Sequence, residues 1–262
     1  MEKVWRELFV IVRERHNDFI MIQQHDHAYL SGTLYTKLKT EWLPSNKWKE
    51  ELYIAIRHHD CGWKLFDEQP FWNDEQHKPH DFNDFPTGVK LVLYEHGINE
   101  VEKMSPFAAL LCSKHYVSFL YRRTDPNVKI FVHNELKRQQ RIQQELNINE
   151  HVTNQYYEIL KLFDDLSLYL CLNEPGTPKE KEHPFFQHGI QIPELFEGGK
   201  VHLHWNNQNE VKLDRVLFED DVITVNVPQK IVNKGDIAKR GLKKAYFQAE
   251  EQVVAISMKQ VK

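Results

Sequence analysis

Between Asn149 and Leu172 the chain carries a helical pattern with an aspartate in the middle of its apolar stripe. Tyr157, Leu160, Asp164, Leu168 and Cys171 recur at the three- and four-residue spacing of one helix face, and Asn173-Glu174-Pro175-Gly176 closes the segment. Periodicity alone does not separate Asp164 from its neighbour Asp165. A carboxylate turned toward a core is costly unless a cation, a metal ion or hydrogen-bond donors meet it. The fold therefore has to bring such groups to that level of the helix. Two other helical patterns repeat the anomaly with histidine. Gln24 to Leu38 sets His27 on a stripe with Leu30, Leu34 and Leu38, and Phe107 to Tyr121 sets His115 with Leu111, Cys112 and Phe119. One histidine on such a face is ordinarily a hydrogen-bonded core residue. Several polar groups on several apolar faces offer themselves to one interior.

The turn Arg57-His58-His59-Asp60-Cys61-Gly62-Trp63 adds a further pair. The segment before it, Glu50 to Arg57, reads as helix, with Leu52, Ala55 and Ile56 on one face and His59 continuing that face, and Gly62 reads as a C-terminal stop. Consecutive imidazole and carboxylate groups at a helix end can turn toward one point, and neutral nitrogen with anionic oxygen suits zinc, iron or manganese. The plainer alternative is a capping group and a surface ion pair. His27, His59, Asp60, His115 and Asp164 together make a set for one or two divalent ions.

Composition bounds the function class. The 262 residues are 41% hydrophobic and 27% charged, with a formal net charge of -4. This is the profile of a globular protein with a sizeable core, without the basic excess that nucleic acid or an acidic membrane surface would call for. No run approaches the length of a membrane span, and the first residues lack a secretory pattern. Cys61, Cys112 and Cys171 are odd in number and far apart, so a disulfide framework is not expected and a reducing, cytoplasmic setting is.

Short β-prone runs at Phe9–Val12 and Phe19–Ile22 flank the polar turn Arg15-His16-Asn17-Asp18 and predict a hairpin. Residues 64–87 read as an irregular, aromatic-rich loop holding Phe66, Phe71, Trp72, Phe82 and Phe85, a candidate lid or pocket wall. Thr87–Lys103, the segment opened by Ser105-Pro106, and the one opened by Asp125-Pro126-Asn127 read as helices. After Pro184 the character changes to short strands at 201–205, 211–213, 222–225 and 253–256. The expected fold is mainly α: a helical bundle with an N-terminal hairpin over residues 1–175, and a smaller β-rich region over 185–262 packed on it.

The order of these residues resembles the HD-domain superfamily. The segments that carry the resemblance are Gln24-His25-Asp26-His27-Ala28-Tyr29-Leu30, His59-Asp60-Cys61-Gly62-Trp63, and Phe163-Asp164-Asp165-Leu166-Ser167. They span about residues 9–173 and look closest to a bacterial domain-of-unknown-function branch of HD-like proteins. The resemblance implies a helical metal-binding core, with His27, His59, Asp60 and Asp164 as primary ligands and His115 as a ligand to an additional ion. It also implies hydrolysis of a phosphate ester or, in some members, oxygen-dependent chemistry at two irons. Many members carry lysine two residues after His-Asp-x. This chain has Trp63 in that place, next to Gly62, and Lys64 falls one position late.

The expected activity is that of a metal-dependent phosphohydrolase on a small anionic substrate, with Asp60, Lys64 and Asp67 as catalytic candidates. Asp67 is either a general base or a loop carboxylate. The competing expectations are a two-iron oxygenase and a non-catalytic binding protein, the latter favoured by Trp63. His77, His80, His202 and His204 are weaker ligand candidates, more simply read as solvated rings, as Lys114, Arg122 and Arg123 are as solvated cations, and His58 reads as a donor behind a ligand or as an exposed partner of Asp26 or Glu51. Cys112 reads as a small buried hydrophobe.

Overall fold

The computed structural model describes residues 11–81 and 84–261. Phe9 and Val10 of the first β-prone run, the residues before them in which no secretory pattern is expected, and Phe82 of the aromatic loop lie outside the described residues. The chain opens with the hairpin β1 (Ile11–Glu14) and β2 (Asp18–Ile22), then α1 (Gln24–Tyr35), α2 (Lys49–His58) and the short α3 (Lys64–Asp67). The aromatic loop folds a two-stranded hairpin, β3 (Trp72–Asn73) and β4 (Lys78–Pro79). Four long helices follow: α4 (Thr87–Met104), α5 (Pro106–Leu120), α6 (Pro126–Leu146) and α7 (Glu150–Leu172). The C-terminal part holds β5 (Ile190–Gln191), β6 (Lys200–Val201), β7 (Leu203–Asn207), β8 (Glu210–Leu213), β9 (Val222–Asn233), α8 (Lys234–Arg240), α9 (Leu242–Gln248) and β10 (Glu251–Gln260).

Local chemistry sets the ends of the long helices. The Ser105 hydroxyl accepts from the Ala108 amide at 3.2 Å, with Pro106 in the first turn of α5. Asp125 accepts from the Asn127 and Val128 amides at 2.8 and 3.2 Å at the start of α6. Asn149 accepts from the Val152 amide at 2.9 Å at the start of α7, and Asn147 closes α6 in the left-handed conformation.

The architecture is mixed α/β, which corrects the expectation of a mainly α chain. A six-stranded sheet runs in the order β1-β2-β9-β10-β8-β7. The N-terminal hairpin is joined to it through β2, with Ile20 opposite Ile231 and Phe19 opposite Val232. β9 and β10 pair antiparallel from Val222–Lys259 to Lys230–Glu251, and β10 lies parallel to β8. A hairpin at the chain's start and strands near its end thus form one sheet. Its inner residues, among them Ile22, Val211, Val225, Ile256 and Met258, share a core with the helices. Phe19, Met21 and Val232 point to the opposite face and are covered by Ile237, Leu242 and Tyr246 of α8 and α9. Among the described residues no helix is long and apolar enough to cross a membrane.

Gly62 has a different role from the helix stop that the sequence predicts. Helix α2 ends at His58 and Gly62 lies in a 3-10 turn, Cys61–Trp63. A Cβ at Gly62 would lie 2.2 Å from the Leu93 carbonyl oxygen and 3.1 Å from the Gly97 nitrogen, both backbone atoms of α4. Glycine is there so that the His-Asp turn can press against a helix backbone. Gly62→Ala has to push the turn off α4. The expected loss is about 1–3 kcal/mol of stability, read as a lower midpoint in denaturant unfolding; an unchanged midpoint would show that the turn yields freely.

Candidate metal centre

Helices α1, α5 and α7 and the turn after α2 each deliver a polar side chain to one interior point. His27, His59, Asp60, His115 and Asp164 are all buried, none more than 1% exposed. His27 Nε2 lies 3.0 Å from Asp60 Oδ2, 3.2 Å from His59 Nε2 and 3.7 Å from Asp164 Oδ1. His59 Nε2 lies 3.5 Å from both Asp60 Oδ2 and Asp164 Oδ1. Ligand atoms around a tetrahedral ion held at about 2.0–2.1 Å stand about 3.3–3.4 Å apart. These separations match the edges of such a coordination polyhedron. His115 adds Nε2 at 3.7 Å from Asp164 Oδ2. Two groups, His27-His59-Asp60 and His59-His115-Asp164, each bring their ligand atoms within 4.8 Å of one another and could hold an ion.

The imidazole tautomers follow from the outer bonds. His59 Nδ1 faces the Ile56 carbonyl at 2.8 Å and must donate to it. The Ser167 hydroxyl donates to the Asp164 carbonyl at 2.8 Å, which leaves its oxygen to accept from His27 Nδ1 at 2.8 Å. In the neutral rings both Nε2 lone pairs then point inward, at each other and at carboxylate oxygens. Such an arrangement of acceptors is repulsive unless a cation or a proton lies among them. Asp164 and His115 sharpen the point, because neither carboxylate oxygen of Asp164 and neither ring nitrogen of His115 has a partner in hydrogen-bond geometry.

Without an ion, a proton takes that place. Burial works to lower His59, but Asp60 and Asp164 outweigh it and push the ring up to about 9. Burial works to raise Asp60 and Asp164. The imidazoles of His59 and His27 hold Asp60 below the usual carboxylate range, and those of His59, His115 and His27 hold Asp164 well below it. Burial pushes His115 the other way, down to about 4. A metal ion entering at pH 7 therefore has to displace the His59 proton. Its apparent affinity is expected to rise with pH until about 9, where the metal-free ring is already neutral. Titration calorimetry in buffers of different ionisation heat should show about one proton released per ion at pH 7; zero release would remove the competition.

Further residues hold these side chains in place. Gln24 Nε2 donates to Asp60 Oδ2 at 2.7 Å, and the Tyr116 hydroxyl donates toward Asp60 Oδ1 at 3.0 Å and to the His59 carbonyl. The Ser31 and Ser167 hydroxyls lie 2.7 Å apart behind His27. Gln24 and Ser31 were the legible ones, since they lie three residues before and four after His27 on the same helix face.

The catalytic candidates are placed apart from one another. Asp60 is in the cluster. Asp67 is buried with its two carboxylate oxygens accepting from the Gln24 and His25 amides at 3.0 and 2.9 Å, so it ties α3 to the first turn of α1. Burial pushes its carboxyl up to about 8, against the pull of those amides. Lys64 is exposed, and its charge falls on His25 and His58 on the outer side of the turn. The weaker candidates lie outside the cluster. His80 bonds Asp84 at 2.8 Å, His202 bonds Asp214 at 2.9 Å, His58 sits 6.5 Å from the His25 ring, Lys114 pairs with Glu150, and His77 and His204 are exposed. The Cys112 thiol is buried against the Ala55 carbonyl, and burial pushes it well up, as suits a small core residue.

A family model described as a protein of unknown function, DUF3891, matches residues 10–234, from the N-terminal hairpin through β9. No curated protein and no solved structure matches the chain.

Proposed function

Because the chain belongs to the DUF3891 family, described as proteins of unknown function, we propose a function from the site itself: a metal-dependent hydrolase of HD-like type acting on a small phosphate ester. The observation that carries this reading is the set of four inward-facing ligand atoms, from His27, His59, Asp60 and Asp164, spaced as a coordination sphere. Their order along the chain, with His115 beside them, is the order of the HD pattern. A divalent ion in such a site lowers the pKa of water toward about 7 and polarises a phosphoryl oxygen. In the net reaction the water oxygen bonds to phosphorus, the bond from phosphorus to the alcohol oxygen breaks, and the alcohol leaves protonated.

The chain's own residues orient the ligands and exclude solvent. Gln24 and Tyr116 fix the Asp60 carboxylate, Ser167 fixes the His27 ring and the Ile56 carbonyl fixes His59. Support of this kind keeps each lone pair aimed before the ligand arrives. Asp67 serves as a positioning residue for α1, not as the base, since its two oxygens are engaged by amides. One observation favours a second reading. The His59-His115-Asp164 group offers a place for another ion, as a two-iron oxygenase would need.

The test is elemental analysis of protein purified without chelator, followed by assay of p-nitrophenyl phosphate hydrolysis with and without added manganese, zinc or iron. The expected result is about one bound ion or two, with hydrolysis abolished by chelation and restored by metal. Two irons with oxygen consumption and no ester hydrolysis would replace the first reading by the second. Bound metal with neither reaction would leave a binding protein, and no metal under any condition would sink both catalytic readings.

A further inference from the structure

We infer that the cavity against the N-terminal half of α7 receives the alcohol portion of the substrate, and that Tyr157 is the partition between this cavity and the metal centre. The inference rests on the reading of the centre as a phosphate-ester hydrolase. The cavity has a volume of about 380 Å³ and is walled by Asn154, Tyr157, Glu158 and Lys161 of α7, with Gln191, Ile192, Pro193 and Glu194 opposite. That volume falls in the lower part of the roughly 300–1,000 Å³ range of small-molecule sites.

Helix geometry ties the cavity to the centre. Tyr157, Lys161 and Asp164 follow one another at spacings of four and three residues on α7, so they share a face. Lys161 precedes Asp164 by about 4.5 Å along the axis. The Tyr157 ring, which lines the cavity, stands 6.4 Å from the His115 ring, centroid to centroid. Tyr157 is half-buried, where His115 and Asp164 are wholly buried. One aromatic ring thus stands between a cavity of mixed polar and apolar lining and the His115 side of the centre.

The lining chooses the ligand. Asn154 and Gln191 offer amide donors and acceptors, Glu158 and Glu194 offer acceptors, and Lys161 is the one cation on this wall. Two acidic groups against one basic group disfavour a second phosphate in the cavity, whereas hydroxyls can donate to the acids and accept from the amides. The fitting substrate is a monoester whose phosphate lies at the centre and whose alcohol is a small polyol. A nucleoside di- or triphosphate would place further negative charge beside Glu158 and Glu194.

The experiment uses full-length, metal-loaded protein and two readouts that do not depend on turnover. The first is the rate at which excess chelator strips the ion. Tyr157→Ala is expected to speed stripping at least tenfold, while Tyr157→Phe, which keeps the ring and guards against a folding artefact, and Tyr121→Ala, at an exposed position, leave it unchanged. The second is calorimetric affinity for the non-hydrolysable phosphonate analogue of glycerol phosphate, for inorganic phosphate and for pyrophosphate. The polyol phosphonate should bind at least tenfold tighter than inorganic phosphate, and pyrophosphate should show no such gain. The double substitution Asn154→Leu with Gln191→Leu should erase the advantage and leave inorganic phosphate unaffected. Equal affinities for phosphonate and phosphate, a preference that survives the double substitution, or a stripping rate indifferent to Tyr157→Ala would each overturn the inference while leaving the hydrolase reading standing. Metal-loaded protein that binds neither phosphonate nor phosphate would overturn that reading and the inference with it.

Discussion

Asp60→Ala is expected to yield protein that no longer retains a metal ion through dialysis. Asp60 is the carboxylate closest to the His27 imidazole, at 3.0 Å, and its Oδ2 shares an edge with His59 as well. Loss of a residue that merely supports a ligand lowers metal affinity by about 10–100-fold. Loss of an anionic ligand itself is expected to exceed about 100-fold, because Asp164 is then the one carboxylate left among the imidazoles and the set binds a hard ion poorly. The substitution also leaves the Gln24 amide without the oxygen it donates to, a cost of about 1–3 kcal/mol for a buried donor left unsatisfied, while the Tyr116 hydroxyl loses Asp60 Oδ1 and keeps the His59 carbonyl. Metal loss must therefore be separated from misfolding. Asp60→Asn retains the shape and an acceptor oxygen for one of those donors, and should fold while still losing the ion. Metal stoichiometry by elemental analysis, beside the circular dichroism of both variants, checks this. A folded variant that holds its ion at wild-type stoichiometry would falsify the assignment of the whole cluster.

The second large effect separates Asp164 from His115. Removing metal leaves a buried carboxylate without hydrogen-bond partners among imidazoles. An ion present at a hundred times its dissociation constant stabilises the native state by about 2.7 kcal/mol. In a chain of this size that corresponds to about 5–11 °C in melting temperature. Chelation of the wild-type protein should remove that increment. Asp164 lies within 3.5–3.7 Å of all three imidazoles, whereas His115 approaches the cluster through Asp164. Asp164→Asn is nearly isosteric, so little packing is lost, yet it should abolish the metal-dependent increment. His115→Gln should keep most of it and alter only the uptake of a second ion. The measurements are melting temperature and metal stoichiometry, with and without chelator, on both variants. The reverse ranking would exchange the two roles, and no change in either would make both residues ordinary core polar groups.

What the sequence determined by itself is local. The long helices were legible from stripes at helical spacing and from caps written into neighbouring residues, Ser105-Pro106, Asp125-Pro126 and Asn149 among them. The ligand candidates were legible for the same reason. Each is a polar group where its own helix or turn demands an apolar one, and the cost of burying it is visible without knowing what it meets.

What the tertiary structure decided is pairing across long separations. Gln24 and Tyr116 reach Asp60 from 36 and 56 residues away, and no spacing rule connects them. Gly62 is glycine because of the α4 backbone, and Asp67 is buried because of the first amides of α1. The N-terminal hairpin finds its sheet partner at Lys230–Asn233, after the whole helical region, and α8 and α9 interrupt the strands of the C-terminal part to cover that sheet's second face. These facts turned an expected helical bundle into a mixed fold. Periodicity and capping act over a few residues and leave their mark in the order of the letters. Strand partners, buried donors and close backbone approaches are selected only when distant segments compete for the same interior.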